Sequence, residues 1–80
     1  MKFRVYSRSG MIQITDTRSL GAAIRGKRRR LKVTQKDLAL ASGTGLRFII
    51  DLEKGKATCQ IGKALELAHT LGLRLQINDP

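Results

Sequence analysis

The most constraining feature of this chain is a pattern of small and apolar residues between positions 35 and 52. Gln35 opens a predicted helix, and Gly43 interrupts that helix where a left-handed turn would penalise a Cβ atom. Ala39 lies where a second helix must cross closely. Ile49 and Leu52, three residues apart, form one apolar face of that second helix. The spacing therefore predicts two short helices packed across a tight turn.

Two further helices flank this pair. Thr15 or Asp16 can cap a helix that runs to about Leu31, and Thr58 can cap another that runs to Leu71. The predicted helices cover about 16–31, 35–42, 46–54 and 58–71. Their expected inward residues are Leu20, Ala23, Ile24 and Leu31 in the first, and Ile61, Ala64, Leu65, Ala68 and Leu71 in the fourth.

Both ends of the chain show strand-like alternation. Lys2–Tyr6 and Met11–Thr15 alternate around a loop and predict a β-hairpin. Alternatively Met11 is the true start, and the first ten residues are a disordered arm. Leu73–Ile77 alternates strictly and predicts a strand. The expected organisation is an N-terminal hairpin or arm over 1–15, a helical domain over 16–72 and a C-terminal strand over 73–80.

The charge balance points to a polyanionic partner. The chain has 16 Lys and Arg against 6 Asp and Glu, a formal net charge of +10. We expect a cytoplasmic protein, because no apolar stretch could span a membrane and no secretory signal opens the chain. Cys59 and His69 are the sole residues of their types, which excludes an intramolecular disulfide and a Cys/His metal site. No catalytic arrangement and no cofactor are expected.

Two short helices joined by a glycine turn form the helix-turn-helix pattern, and in a basic chain it predicts DNA binding. The residues of that pattern resemble the lambda-repressor-like family, also called the XRE or Cro/C1 type. The matching residues are Thr34, Gln35, Ala39, Gly43, Ile49 and Leu52 to Gly55. Further segments resemble antitoxins of the HipB type: Ser19 to Gly21, Ile24-Arg25, Arg47 to Ile49, Asp51 to Lys56, and Leu73–Ile77 directly after the fourth helix.

Helical geometry assigns the face of the second motif helix that reads DNA bases. With Ile49 directed to the core, Arg47 and Asp51 point outward at about 100° per residue. Arg47 can pair with guanine, and Asp51 either orients it or accepts from cytosine. Leu46 and Ile50 either contact thymine methyl groups or are buried against another protein.

Other polar residues are candidates for phosphate contacts. Gln35, at a helix N-terminus, can offer its amide and nearby backbone N–H groups, and the resemblance supports this role. The candidate phosphate ligands are Thr34, Gln35, Lys36, Gly45, Lys54 and Lys56. The cationic run Arg28–Arg30 either reaches the DNA backbone or meets an acidic partner, and Glu53 is expected to make local structural hydrogen bonds.

A lone C-terminal strand would expose its hydrogen-bonding edge, so we expect it to pair with a second copy. Leu67, on the shoulder of the fourth helix, would extend that interface. The candidate dimer residues are Leu67, Leu71, Leu73, Leu75 and Ile77. A two-fold dimer predicts a palindromic operator. The HipB resemblance implies the same pairing, an antitoxin that represses its own operon, and a HipA-like serine/threonine kinase toxin as partner.

Two alternatives stay open at the level of sequence. One is a stand-alone XRE-type transcriptional regulator without a toxin. The other is a basic RNA-binding protein, which would use exposed aromatic residues for stacking. The chain has only Phe3, Tyr6 and Phe48 for that purpose, so the helix-turn-helix pattern favours duplex DNA.

Overall fold

The structure is a computed structural model that describes residues 11–80. Its four helices are α1 (Thr17–Arg30), α2 (Gln35–Ser42), α3 (Leu46–Glu53) and α4 (Ile61–Thr70). The prediction of a mainly α-helical, four-helix domain is confirmed. The predicted strand Lys2–Tyr6 and the loop that follows it lie outside the described residues. The second strand of the predicted hairpin, Met11–Thr15, is not formed, because no other described segment forms a strand beside these residues and their backbone is irregular.

Side-chain caps fix where α1 and α2 begin. The backbone N–H of Ser19 donates to the Asp16 carboxylate at 2.8 Å, and the Asp16 N–H donates to the Ser19 hydroxyl at 3.0 Å. The hydrogen bond from the Ser19 N–H lowers the pKa of Asp16. This cap therefore stabilises the fold at neutral pH and weakens as the pH falls through that lowered pKa. Thr34 and Asp37 form the same reciprocal arrangement at α2.

The core is aliphatic and is shared by all four helices. It consists of Leu20, Ile24, Leu38, Ile49, Leu52, Ala64, Leu67, Ala68 and Leu71. Two predicted details at the helix ends are wrong. Leu31 is exposed, because α1 ends at Arg30 and Leu31 is its C-cap. The fourth helix begins after Gln60, so Thr58 lies in the preceding loop and caps nothing.

The inward face of α4 also differs from the prediction. Ile61 and Leu65 are 64% and 46% exposed, whereas Leu67 is fully buried. The helix has apolar residues on two faces, and periodicity alone does not choose between them. Tertiary packing selects the face with Leu67, which lies in the core that α4 shares with the other helices. Leu67 and Leu71 therefore offer no exposed surface to a second copy in the single chain.

The close approach of α1 to the end of α3 depends on two glycines. A Cβ at Gly21 would overlap the carbonyl oxygen of Leu52. Gly55 has φ +82°, and a Cβ there would lie 2.8 Å from the Cα of Arg18. The Thr17 hydroxyl donates to the Gly55 carbonyl at 2.8 Å, which ties the start of α1 to the turn after α3.

The predicted C-terminal strand is not formed within the described residues. Leu73 packs against the core and donates its N–H to Ala68 at 2.9 Å. Beyond it the backbone is irregular, and Ile77 is 96% exposed. A strand needs a neighbouring strand for its hydrogen bonds, and no other segment of residues 11–80 supplies one to Leu73–Ile77.

The glycines of α1 and α4 give a matched pair of substitutions. We expect Gly21→Ala to lower the free energy of unfolding by about 1–3 kcal/mol, because the new methyl group forces α1 away from α3. Gly62 lies in α4 with nothing within 4 Å of a Cβ. We expect Gly62→Ala to raise stability by about 0.5–1 kcal/mol through helix propensity. Urea unfolding of both variants measures the difference, and equal effects would contradict the packing described here.

Candidate nucleic-acid interface

The turn between α2 and α3 has the geometry that the sequence pattern requires. Gly43 ends α2 in the left-handed region at φ +71° and donates its N–H to Ala39 at 2.9 Å. Gly45, which precedes α3, also has positive φ at +89°. Between them Thr44 is buried, with its hydroxyl 2.9 Å from that of Ser42. The prediction of a left-handed backbone at Gly43 is confirmed. The positive φ of Gly45 was not predicted from the sequence.

The inward face of α3 matches the prediction from helical geometry. Ile49 and Leu52 are fully buried in the core. The Glu53 side chain points the same way and is 4% exposed. The opposite face of α3 is therefore left for solvent or a ligand.

The Glu53 carboxylate is held by two other side chains, and we call this arrangement of Arg28, Gln35 and Glu53 the Glu53 node. Arg28 donates from Nε to Oε2 at 2.7 Å and from Nη2 to Oε1 at 3.0 Å. Gln35 donates from Nε2 to Oε1 at 3.0 Å. Arg28 also donates from Nη1 to the carbonyl of Val33 at 2.8 Å. The node therefore joins α1, the start of α2 and the end of α3.

The node changes three expectations from the sequence. Arg28 is committed to Glu53 rather than presented to DNA or to an acidic partner. The hydrogen bonds of Glu53 are not local, since Arg28 lies 25 residues away. Gln35 is half-buried, and one of its amide N–H groups is already used. Helical periodicity places each residue on its own helix, but it carries no signal that these three side chains meet.

The outward face of α3 presents one cation beside a paired carboxylate. The Arg47 side chain is 79% exposed, and its Nε lies 3.5 Å from Asp51 Oδ1. Lys56 Nζ lies 3.6 Å from the other carboxylate oxygen of Asp51. Asp51 therefore faces two cations at once. Exposed ion pairs of this kind are weak, so Arg47 can leave Asp51 for another partner at little cost.

The neighbouring apolar residues of α3 divide between solvent and core. Leu46 is 38% exposed, and Ile50 is half-buried. Phe48 packs against the core, and Lys63 Nζ of α4 lies 5.7 Å from the centre of its ring. Lys63 adds a positive charge beside α3 that the sequence pattern did not indicate.

The candidate phosphate ligands lie at the ends of the motif helices. Five of them are exposed. Thr34 and Lys36 lie at the start of α2, and Gly45 is the N-cap of α3. Lys54 and Lys56 directly follow α3. Within residues 11–80 no cluster of His, Cys, Asp and Glu could hold a metal ion. No helix of this part of the chain is long and apolar enough to cross a membrane.

A family model described as helix-turn-helix, HTH_3, matches residues 24–78. The chain belongs to the helix-turn-helix family. A curated relative, the uncharacterized HTH-type transcriptional regulator y4mF of Sinorhizobium fredii (strain NBRC 101917 / NGR234), is 44% identical over 68 residues. That match spans 85% of this chain and 90% of y4mF. This helix-turn-helix protein is therefore placed among transcriptional regulators.

Solved structures share the fold. A HipB–O4 20mer complex and a HipA–HipB–O2–O3 complex each contain a chain that aligns with this one at a TM-score of 0.79. Each alignment covers 86% of this chain and 97% of the other at 20% identity. The resemblance to XRE-type proteins and the HipB-like fold are thereby confirmed.

Proposed function

We propose that this helix-turn-helix protein binds duplex DNA sequence-specifically and represses transcription, with α3 in the major groove. The observation that carries the proposal is the exposed Arg47 on the outward face of a helix whose other face is fixed by the core and the Glu53 node. An α-helix fits the major groove, where each base pair presents a distinct pattern of donors and acceptors. No catalytic step is part of this function.

The outward residues supply different kinds of base contact. Arg47 pairs with the O6 and N7 atoms of guanine, a contact worth about 1–3 kcal/mol of discrimination. Asp51 holds the guanidinium in the outward orientation until the base replaces it. Leu46 and Ile50 contact thymine methyl groups, which accounts for apolar side chains on this face.

Phosphate contacts position the motif on the duplex. Lys36 and the cap residue Thr34 lie at the start of α2, and Lys54 and Lys56 follow α3. Gly45 brings backbone N–H groups to the start of α3. Gln35 has a second amide N–H beyond the one given to Glu53, and this group reaches a phosphate from within the node.

Two copies of the chain bind a palindromic operator. Leu73–Ile77 has no strand partner within the described residues, and Leu75 and Ile77 are 44% and 96% exposed. Pairing with the same segment of a second copy would bury both side chains and supply the missing hydrogen bonds. Half-sites would then lie about one helical turn apart, or a multiple of that.

The more specific role is that of a HipB-type antitoxin acting in the cytoplasm. In support, HipB chains share the fold, and one of their structures contains HipA and HipB together. A HipA-like serine/threonine kinase would be the toxin that this protein neutralises, and the shared operon would be its target. The second candidate is a stand-alone regulator, and the 44% identity to y4mF, described as a transcriptional regulator, favours it.

Substitution of Arg47 tests the base-reading role. We expect Arg47→Ala to lower affinity for the operator by about 1–3 kcal/mol and to leave binding to random duplex largely unchanged. Arg47→Lys keeps the charge but cannot form the bidentate contact with guanine, so it should show most of the same loss of affinity. Lys54→Ala is the control, since loss of a phosphate contact weakens both duplexes alike. Fluorescence anisotropy measures all three, and equal losses on both duplexes for Arg47→Ala would refute the role.

Purification from the native cell separates the antitoxin from the stand-alone regulator. We expect the affinity-tagged full chain to co-purify with a kinase in a fixed molar ratio that survives nuclease treatment. The kinase should phosphorylate a test substrate only after the two are separated. Recovery of the chain with DNA but without a kinase would leave the stand-alone regulator as its function.

A further inference from the structure

Lys63 of α4 lies beside α3 and forms no ion pair within residues 11–80. Its side chain is held instead by an aromatic ring, with Nζ 5.7 Å from the centre of the Phe48 ring. Glu66 is the acidic residue of α4, yet no ion pair joins it to Lys63. A cation over an aromatic face is attracted by the ring electrons and keeps N–H donors for another partner. Lys63 is therefore an exposed cation, already positioned, that an anion can reach.

The ring of Phe48 places this cation on the side of α3 away from α2. With Ile49 directed to the core, Phe48 and Glu53 lie on opposite sides of it at about 100° per residue. The amide of Gln35, at the start of α2, donates to Glu53. The start of α2 therefore flanks one side of α3, and Lys63 flanks the other.

A helix in the major groove faces two walls of phosphates, which belong to opposite strands of the duplex. The phosphate contacts in the proposed function come from the start of α2, the start of α3 and the turn after α3. Helix α4 supplies none of them. Lys63 offers a cation to the wall that lies across α3 from the start of α2.

We infer that Lys63 binds a phosphate on the wall of the major groove opposite the start of α2, and that Phe48 is its positioning residue. The inference rests on the proposed function, because it extends the DNA contacts of the motif to α4. Such a contact carries no base information, so it strengthens binding to every duplex and fixes the position of α3 between the two walls. Phe48 then has a role besides its packing against the core.

The salt dependence of binding tests Lys63. We expect Lys63→Ala to weaken the operator and a random duplex alike, and to lower the slope of log K against log salt concentration by about one per half-site. Arg25→Ala is the matched control, because it removes one exposed positive charge from α1, outside the motif. Its slope should stay close to that of the wild-type chain.

The two proposals fail in different ways. If the wild-type chain binds duplex DNA but Lys63→Ala leaves the slope unchanged, the inference is overturned and the proposed function stands. An equal change of slope in Arg25→Ala would also overturn the inference, since net charge would then account for the effect. If the wild-type chain binds no duplex, both are overturned.

Neutral phosphates locate the contact on the duplex. Single phosphates of the operator are replaced in turn by uncharged methylphosphonates. We expect one position where replacement weakens the wild-type chain about fivefold but has little further effect on Lys63→Ala. Lys36→Ala, at the start of α2, should show the same behaviour at a position on the opposite strand of the same half-site. Positions on one strand for both variants, or no such position for Lys63→Ala, would overturn the inference.

A double-mutant cycle tests the positioning role of Phe48. Phe48→Leu keeps an apolar side chain against the core and removes the aromatic face, whereas Phe48→Tyr keeps that face. We expect Lys63→Ala to weaken binding much less in the Phe48→Leu background than in the wild-type chain, and equally in the Phe48→Tyr background. Urea unfolding checks that each variant is folded. The same loss in all three backgrounds, or a reduced loss with Tyr, would overturn the role of Phe48.

Discussion

Glu53 carries a charge in a place where water can hardly reach it, with 4% of its side chain exposed. Such a carboxylate is tolerated only when cations and hydrogen-bond donors surround it. Arg28 supplies a two-pronged contact from α1, and Gln35 supplies a third donor from α2. Removal of the Arg28 side chain would leave the buried Glu53 carboxylate uncompensated, at a cost of about 3–5 kcal/mol. The position of α3 relative to the other helices follows from this requirement.

The same region is where backbones come closest. Because Gly21 has no Cβ, the carbonyl of Leu52 can lie against it. Because Gly55 has none either, the backbone of α1 can lie next to the turn after α3. Apolar packing of Ile49 then fixes the rotation of α3 about its axis. A helix held at one end by an ion pair and along one face by the core loses little further freedom when it binds. That preorganisation favours affinity, because α3 loses its conformational entropy during folding rather than on binding.

The sequence predicted those parts of the fold that depend on local chemistry. The cap of α1 at Asp16, one of two candidates, and the left-handed Gly43 follow from residue type and position, and the structure has both. Errors arose where two apolar faces competed, as for Leu65 and Leu67 of α4, which only tertiary packing distinguishes.

Contacts between distant residues were not predictable from one sequence. Arg28 belongs to a run of cations, and nothing local marks it as the residue that meets Glu53. Within the candidate site, helical geometry gave the outward direction of Arg47 but not the pairing of Asp51 with Lys56, which depends on the turn after α3. The strand over Leu73–Ile77 was predicted from alternation, but a strand also requires a neighbour.

The proposed function places α3 against base edges in the major groove of duplex DNA. The most direct test is methylation protection on a duplex that the full chain selects from a random pool. Dimethyl sulfate modifies guanine N7 in the major groove and adenine N3 in the minor groove. We predict that bound protein protects guanine N7 at two positions about one helical turn apart, or a multiple of that. Protection at adenine N3 alone, or no protection at guanine N7, would show that α3 does not read the major groove.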